Sequence, residues 1–173
     1  MDIKHHLDER HFIEDLGLFF EQMGMPRMAG KIIGALLIAD PPSQSLTDLS
    51  AKLKASKGSI SLMTRMLIEQ GLIERVATPL PRQTCYRFRP GGWINYMHGW
   101  LGLMSELHSI TERGLILMED KSDETKERLL EAHDLFSSME NQIPAVLESM
   151  EAELHRRVHD IDKSSNDPQI DLT

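Results

Sequence analysis

The sequence predicts a mainly α fold, a winged helix-turn-helix with dimerisation helices on its N- and C-terminal sides. Three observations lead there. Residues 45–71 hold two short helical patterns separated only by Lys54-Ala55-Ser56. A basic two-stranded pattern follows at once, from Leu72 to Val76 and from Cys85 to Arg89. Helical patterns then lie on either side, each with an apolar stripe that needs a covering surface.

The first of these patterns, from Asp8 to Gln22, puts Phe12, Ile13, Leu16, Phe19, Phe20 and Met23 on one broad stripe. Gly24 ends it. Pro26 suits the first turn of a second helix reaching Ala39, where Asp40-Pro41-Pro42 stops it. Gly30 and Gly34, four apart on that helix, allow close backbone approach. The first helix must be covered by its own chain or, as the preferred expectation, by a partner chain.

The helix-turn-helix comes next. Ser45 can cap a helix that carries Leu46, Leu49 and Leu53 at helical spacing. The second helix starts near Ser56 and ends at Gly71, a glycine suited to the position after a helix. Its inward stripe is Ile60, Thr64, Leu67 and Ile68. Its other face carries Lys57, Ser59, Ser61, Leu62 and Arg65. A helix that starts with small polar and basic residues can enter a major groove and donate hydrogen bonds there. In the following hairpin, Pro79, Pro81 and Arg82 suit the tip, and Arg75, Arg82, Arg87 and Arg89 are placed for phosphates or a minor groove.

Pro90-Gly91-Gly92 marks a boundary. A long helix from Trp93 to about Asp120 carries Trp93, Tyr96, Met97, Trp100, Leu101, Met104, Leu107, Leu115 and Met118. Another starts at Ser122, with Leu129, Leu130, His133, Phe136 and Met139 inward. Asn141-Gln142-Ile143-Pro144 should interrupt it. A last helix sets Ile143, Leu147, Met150, Leu154, Val158 and Ile161 at heptad-like steps, which suits a helix–helix seam. The expected organisation is an N-terminal dimerisation helix (1–24), a winged DNA-binding domain (25–91), a C-terminal helical region for dimerisation and effector binding (92–162) and a disordered polar tail (163–173).

Charge agrees with this division. The chain of 173 residues carries a net −8, yet residues 43–92 hold eight Lys or Arg against three Asp or Glu. Residues 93–173 hold seven against seventeen. A basic centre between acidic arms fits a protein that grips phosphate with one face. The single cysteine, Cys85, excludes an internal disulfide and fits a reducing cytoplasm. No apolar segment approaches a membrane span, and the N-terminus lacks the apolar core of a signal peptide.

Several stretches resemble a known family: Leu16 to Phe20, Gly24-Met25-Pro26-Arg27-Met28-Ala29-Gly30-Lys31-Ile32, Leu46 to Leu53, Ser56 to Ser61, and Gly71-Leu72-Ile73-Glu74-Arg75. Over roughly residues 12–93 the chain looks like the GbsR type of MarR-like winged-helix regulators. The resemblance implies a dimeric DNA-binding transcriptional regulator, often a repressor, in a family some of whose members sense choline.

The expected partners are double-stranded DNA, a second copy of the chain and a small-molecule effector, with no membrane and no cofactor. DNA contact is expected from Ser56, Lys57, Ser59, Ser61, Leu62, Arg65, Arg75, Arg82 and Arg87, with Lys or Arg to guanine, Ser to bases or phosphate, and Leu62 on a thymine methyl. Trp93, Tyr96 and Trp100 share one helical face. Such a stripe usually belongs to a core, and a cage for a quaternary ammonium is its alternative. His155 and His159 are spaced as half a metal site, without further ligands in the sequence. Cys85, among Arg82, Arg87 and Arg89, is either a small apolar strand residue or a redox switch. No nucleotide-binding loop, nucleophile elbow or zinc-protease motif occurs, so no catalysis is expected. The function read from the sequence is a homodimeric, sequence-specific transcriptional repressor on a partly palindromic site, open to relief by a ligand. The alternatives are a protein-interaction module and a small-molecule sensor without a primary role on DNA.

Overall fold

The computed structural model describes residues 3–77 and 84–165, with side chains over 7–77 and 84–157. The elements, in chain order, are α1 (Ile3–Gln22), α2 (Arg27–Leu37), β1 (Gln44–Ser45), α3 (Leu46–Leu53), α4 (Lys57–Glu69), β2 (Ile73–Val76), β3 (Cys85–Phe88), α5 (Gly92–Leu117) and α6 (Asp123–Ser165). They form two compact units, Met1–Asn95 and Tyr96–Thr173, with the boundary inside α5.

The first unit is built on α2. Ala29, Ile32, Ile33, Ala35 and Leu36 are all buried. Leu49 and Leu53 of α3, Ile60, Thr64 and Leu67 of α4, and Leu72, Ile73 and Tyr86 of the sheet region complete the core. Each large apolar side chain buried this way contributes about 1.5–3 kcal/mol. Ile68, expected inward, is only half-buried. It lies one position past Leu67, at the margin of the buried stripe.

The N-terminal helix starts earlier than expected, at Ile3 rather than Asp8, and packs on α2 of its own chain. Ile13 and Phe20 are buried, while Phe12, Phe19 and Met23 stay exposed. Of the two expected covers, its own chain supplies one edge of the stripe, and the other edge stays exposed. Glycines bring the backbones together. A Cβ on Gly30 would stand 2.4 Å from the Leu16 carbonyl oxygen, and one on Gly34 would stand 3.1 Å from the Ile13 Cα. Ion pairs fasten the rim of this crossing, Glu14 meeting Lys31 at 2.5 Å and Arg27 at 3.0 Å. The hydrogen bond from Lys31 is the main cause that holds the Glu14 carboxyl below its ordinary value; burial opposes it.

The sheet has an unpredicted third strand. β1, two residues long, pairs antiparallel with β3, and the order is β1-β3-β2. Two residues carry no readable alternation. β2 and β3 pair Ile73 with Phe88, Glu74 with Arg87, Arg75 with Tyr86 and Val76 with Cys85.

In the second unit α5 and α6 form a hairpin. Ser122 starts α6, its Oγ accepting from the Thr125 backbone at 3.4 Å. At Gly114 an added Cβ would come 2.9 Å from Leu129 Cδ2, so α5 and α6 are close there. The expected interruption at Asn141–Pro144 does not occur, because α6 runs unbroken through Pro144. Proline deletes one backbone donor and crowds the preceding turn. Side chains brace the adjoining turn, Asn141 donating to the Ser137 carbonyl and Gln142 to Ser138, both at 2.8 Å. The apolar stripe continues across, with Ile143 half-buried and Leu147 buried. The helix also extends to Ser165, past the expected start of a disordered tail at Lys163. Among the described residues, no helix is long and apolar enough to cross a membrane.

Candidate nucleic-acid interface

The helix-turn-helix is set by two serine caps. Ser45 is buried and starts α3 with a reciprocal box: its Oγ accepts from the Asp48 backbone N–H at 3.1 Å. Asp48 Oδ2 in turn accepts from the Ser45 hydroxyl at 2.6 Å and from its backbone N–H at 3.0 Å. Those two hydrogen bonds, the side-chain one first, pull the Asp48 carboxyl below its ordinary value. The turn passes through Lys54, left-handed at φ 50°, and Ser50 donates across it to the Ala55 carbonyl at 2.6 Å. Ser56 then caps α4 by accepting from the Ser59 N–H at 3.2 Å. At the far end Gly71 takes φ 73°, as a residue beyond a helix end should. A short turn with fixed exits sets the second helix against the first.

Ile60, Thr64 and Leu67 anchor α4 in the core, and the Thr64 hydroxyl is satisfied by the Ser61 carbonyl at 3.2 Å. The opposite side is thereby turned outward. Lys57, Leu62 and Arg65 are exposed, Leu62 by 55 %, and Ser61 is half-buried. Lys57, Ser61 and Arg65 follow one another at four-residue steps, so they make one line with Leu62 at its side. Ser56 stands at the head of that line. Ser59 is half-buried and turned towards the flank by the helical repeat. The Arg65 Nε reaches the Ser61 carbonyl at 3.4 Å, and a guanidinium has further donors for a guanine edge or a phosphate.

The hairpin separates the expected arginines. Arg87 is exposed but engaged by its cross-strand neighbour: its Nε and Nη2 both lie 2.6 Å from Glu74 Oε1. Register puts Arg75 opposite Tyr86, on the other side of the ribbon from this pair. Arg75 and Arg89 are exposed. Arg82 lies outside the described residues, as do Pro79 and Pro81. The sequence gives little hint of Glu74 as a competitor for Arg87, because their pairing depends on the register of the two strands.

Trp93 has ring partners from elsewhere in the first unit. Its ring is nearly parallel to Phe20, centroids 6.1 Å apart, and tilted against Phe88 at 5.1 Å. The residue bolts α1, β3 and the start of α5 together while remaining 42 % exposed. Tyr96 and Trp100 are half-buried residues of the second unit. A cleft of about 580 Å³ in the first unit is lined by charged residues, Glu9, Arg10, Glu14, Lys31, Lys52 and Lys54, over Ile13 and Leu53. None of the three aromatic candidates lines it. Cys85, half-buried, stands in the central strand opposite Ser45 and Val76. His155 is tied to its own helix, 2.8 Å from the Glu151 carbonyl, and the side chain of His159 lies outside the described set.

Comparison with known proteins bears on the chain beyond this module as well. The model of the MmpR5-like MarR family transcriptional regulators matches residues 91–153. The HTH-type transcriptional regulator MmpR5 of Mycobacterium tuberculosis is 37% identical over 140 residues, which cover 81% of this chain and 85% of that protein. A crystal structure of a transcriptional regulator superposes with a TM-score of 0.73 at 36% identity, covering 84% of this chain and 99% of that one.

Proposed function

The chain belongs to the MarR family of winged-helix transcriptional regulators, on its MmpR5-like side, and from that membership we propose that it binds DNA as a homodimer and represses transcription at a partly palindromic promoter site. The observation that carries this reading is the outward line Lys57, Ser61 and Arg65 on a helix whose opposite face is locked in the core. On this reading the line enters the major groove, with Leu62 against a thymine methyl, Ser56 and Ser59 at the phosphates and Lys57 and Arg65 on guanine or phosphate. Arg75, Arg82, Arg87 and Arg89 of the wing hold the backbone or the minor groove beside it. The GbsR-type likeness of residues 12–93 belongs to this DNA-facing half.

The apolar residues left exposed on α1, α5 and α6 support pairing of two copies. Phe12, Phe19 and Met23 of α1, Leu103, Leu107 and Ile110 of α5, and Val146, Met150 and Leu154 of α6 would otherwise face water. Two copies joined by such helices can meet successive major grooves about 34 Å apart. Its place of action on this reading is the cytoplasm, with Cys85 reduced. An effector remains part of the proposal, although the ring contacts of Trp93 favour a packing role over a cage for that residue.

Fluorescence anisotropy against promoter fragments, including the region upstream of its own coding sequence, tests the reading. The expected result is fragment-selective binding that weakens steeply with salt. Arg65→Ala should lower the selective affinity by about 1–3 kcal/mol. Equal, weak binding to every fragment, unchanged in Arg65→Ala, would turn the assignment towards a protein-interaction module.

A further inference from the structure

The second unit contains a polar cluster that DNA binding does not use. His108 Nδ1 of α5 lies 2.5 Å from Glu140 Oε2 of α6. The His133 ring, also on α6, sits with its centroid 4.7 Å from that of His108, tilted by 41°. His133 Nδ1 is buried and has no hydrogen-bond partner among the described residues. We propose that His108, His133 and Glu140 make the α5–α6 hairpin a proton-operated element, held closed by one proton on the histidine pair and loosened by a second.

Glu140 meets His108 directly, while His133 lies against the His108 ring. The groups facing them from α6 are Glu140 and His133 itself. From α5 they are Ser105, which hydrogen-bonds to Glu140, and Thr111, whose hydroxyl donates to the His108 carbonyl at 2.7 Å. Glu112, one turn beyond His108, is exposed to water. The first proton places a cation against Glu140 and ties α5 to α6. A second, on His133, puts two cations at ring-contact distance, with a buried nitrogen that has no acceptor. A further cross-hairpin contact, His98 Nε2 to Glu151 at 3.1 Å, gains charge on protonation and so opposes the loosening.

Hydrogen exchange of the full-length protein, followed by mass spectrometry over residues 100–140, tests this from about pH 8 to about pH 5, the interval in which imidazoles change charge. After correction for intrinsic exchange, protection should pass through a maximum. It should then fall several-fold on the acid side, because two cations at ring-contact distance disfavour the closed form. His133→Phe keeps a ring in place and should abolish the acid-side fall. Glu140→Gln should remove the maximum, since the first proton then finds no anion across the hairpin, and His98→Gln should leave the fall in place. A wild-type profile without a maximum, or one that His133→Phe reproduces, overturns the proposal. Should His133→Phe alter protection already at about pH 8, the imidazole signals of the wild-type protein decide by NMR. Coupled titration of His108 and His133 supports the proposal, and independent titration overturns it.

Discussion

At the residue scale, one carboxylate and one arginine show how local partners set function. Asp48 and Ser45 share three hydrogen bonds at the head of α3. Ser45→Ala should cost about 1 kcal/mol in urea denaturation, as for other caps. Because the folded Asp48 has a depressed pKa, the stability it supplies is fully present above the ordinary carboxylate range. It is lost as pH falls through the lowered folded value. Asp48→Asn should therefore be less stable than wild type at neutral pH, with the gap closing under acid. Arg87 is held by Glu74 rather than offered freely to DNA. Glu74→Ala should release that cation: binding tightens for all sequences, and the slope of log affinity against log salt steepens by about 0.9 for one added phosphate contact. An unchanged slope would place Arg87 away from the DNA backbone.

At the element scale, the α1–α2 crossing rests on glycines. Alanine is worth up to about 1 kcal/mol over glycine in an exposed helix. At Gly30 the sign reverses, since the new Cβ would press on the Leu16 carbonyl, which is backbone and cannot turn aside. Gly30→Ala should destabilise the protein by about 1–3 kcal/mol, the usual cost of overpacking, read as a lower denaturation midpoint. Pro144 sits inside a continuous helix, so Pro144→Ala restores a backbone donor and should raise stability by up to about 3 kcal/mol. No gain would mean that water already satisfies the Glu140 carbonyl that the missing donor leaves open.

For the whole molecule, the proposed dimer answers an energetic problem that one chain leaves open. Buried apolar residues are concentrated in the first unit, whereas α5 and α6 keep much of their apolar surface towards water. Light scattering at micromolar concentration should give twice the chain mass. Phe12→Asp with Met23→Asp should shift that mass towards the monomer and weaken DNA binding in parallel, since two half-sites are read only by a pair. A monomeric wild type that still binds selectively would remove the palindromic site from the proposal.

The sequence by itself determined whatever depends on local spacing. Ser45, Ser56 and Gly71 punctuate α3 and α4, and the periodicity of Ile60, Thr64 and Leu67 settles which face of α4 is outward. Gly30 and Gly34 announced a close helix crossing from their spacing alone. Tertiary structure decided what depends on partners distant in the chain. It paired Arg87 with Glu74, gave Phe20 and Phe88 to Trp93, added a strand too short to show alternation, and covered one edge of α1 with α2. It also carried α6 through Pro144, where the local rule predicts a break. Caps and periodicity are properties of neighbouring residues and can be read in order. Ion pairs, ring stacks and tolerated prolines depend on which surfaces meet, and that is fixed only when the chain has folded.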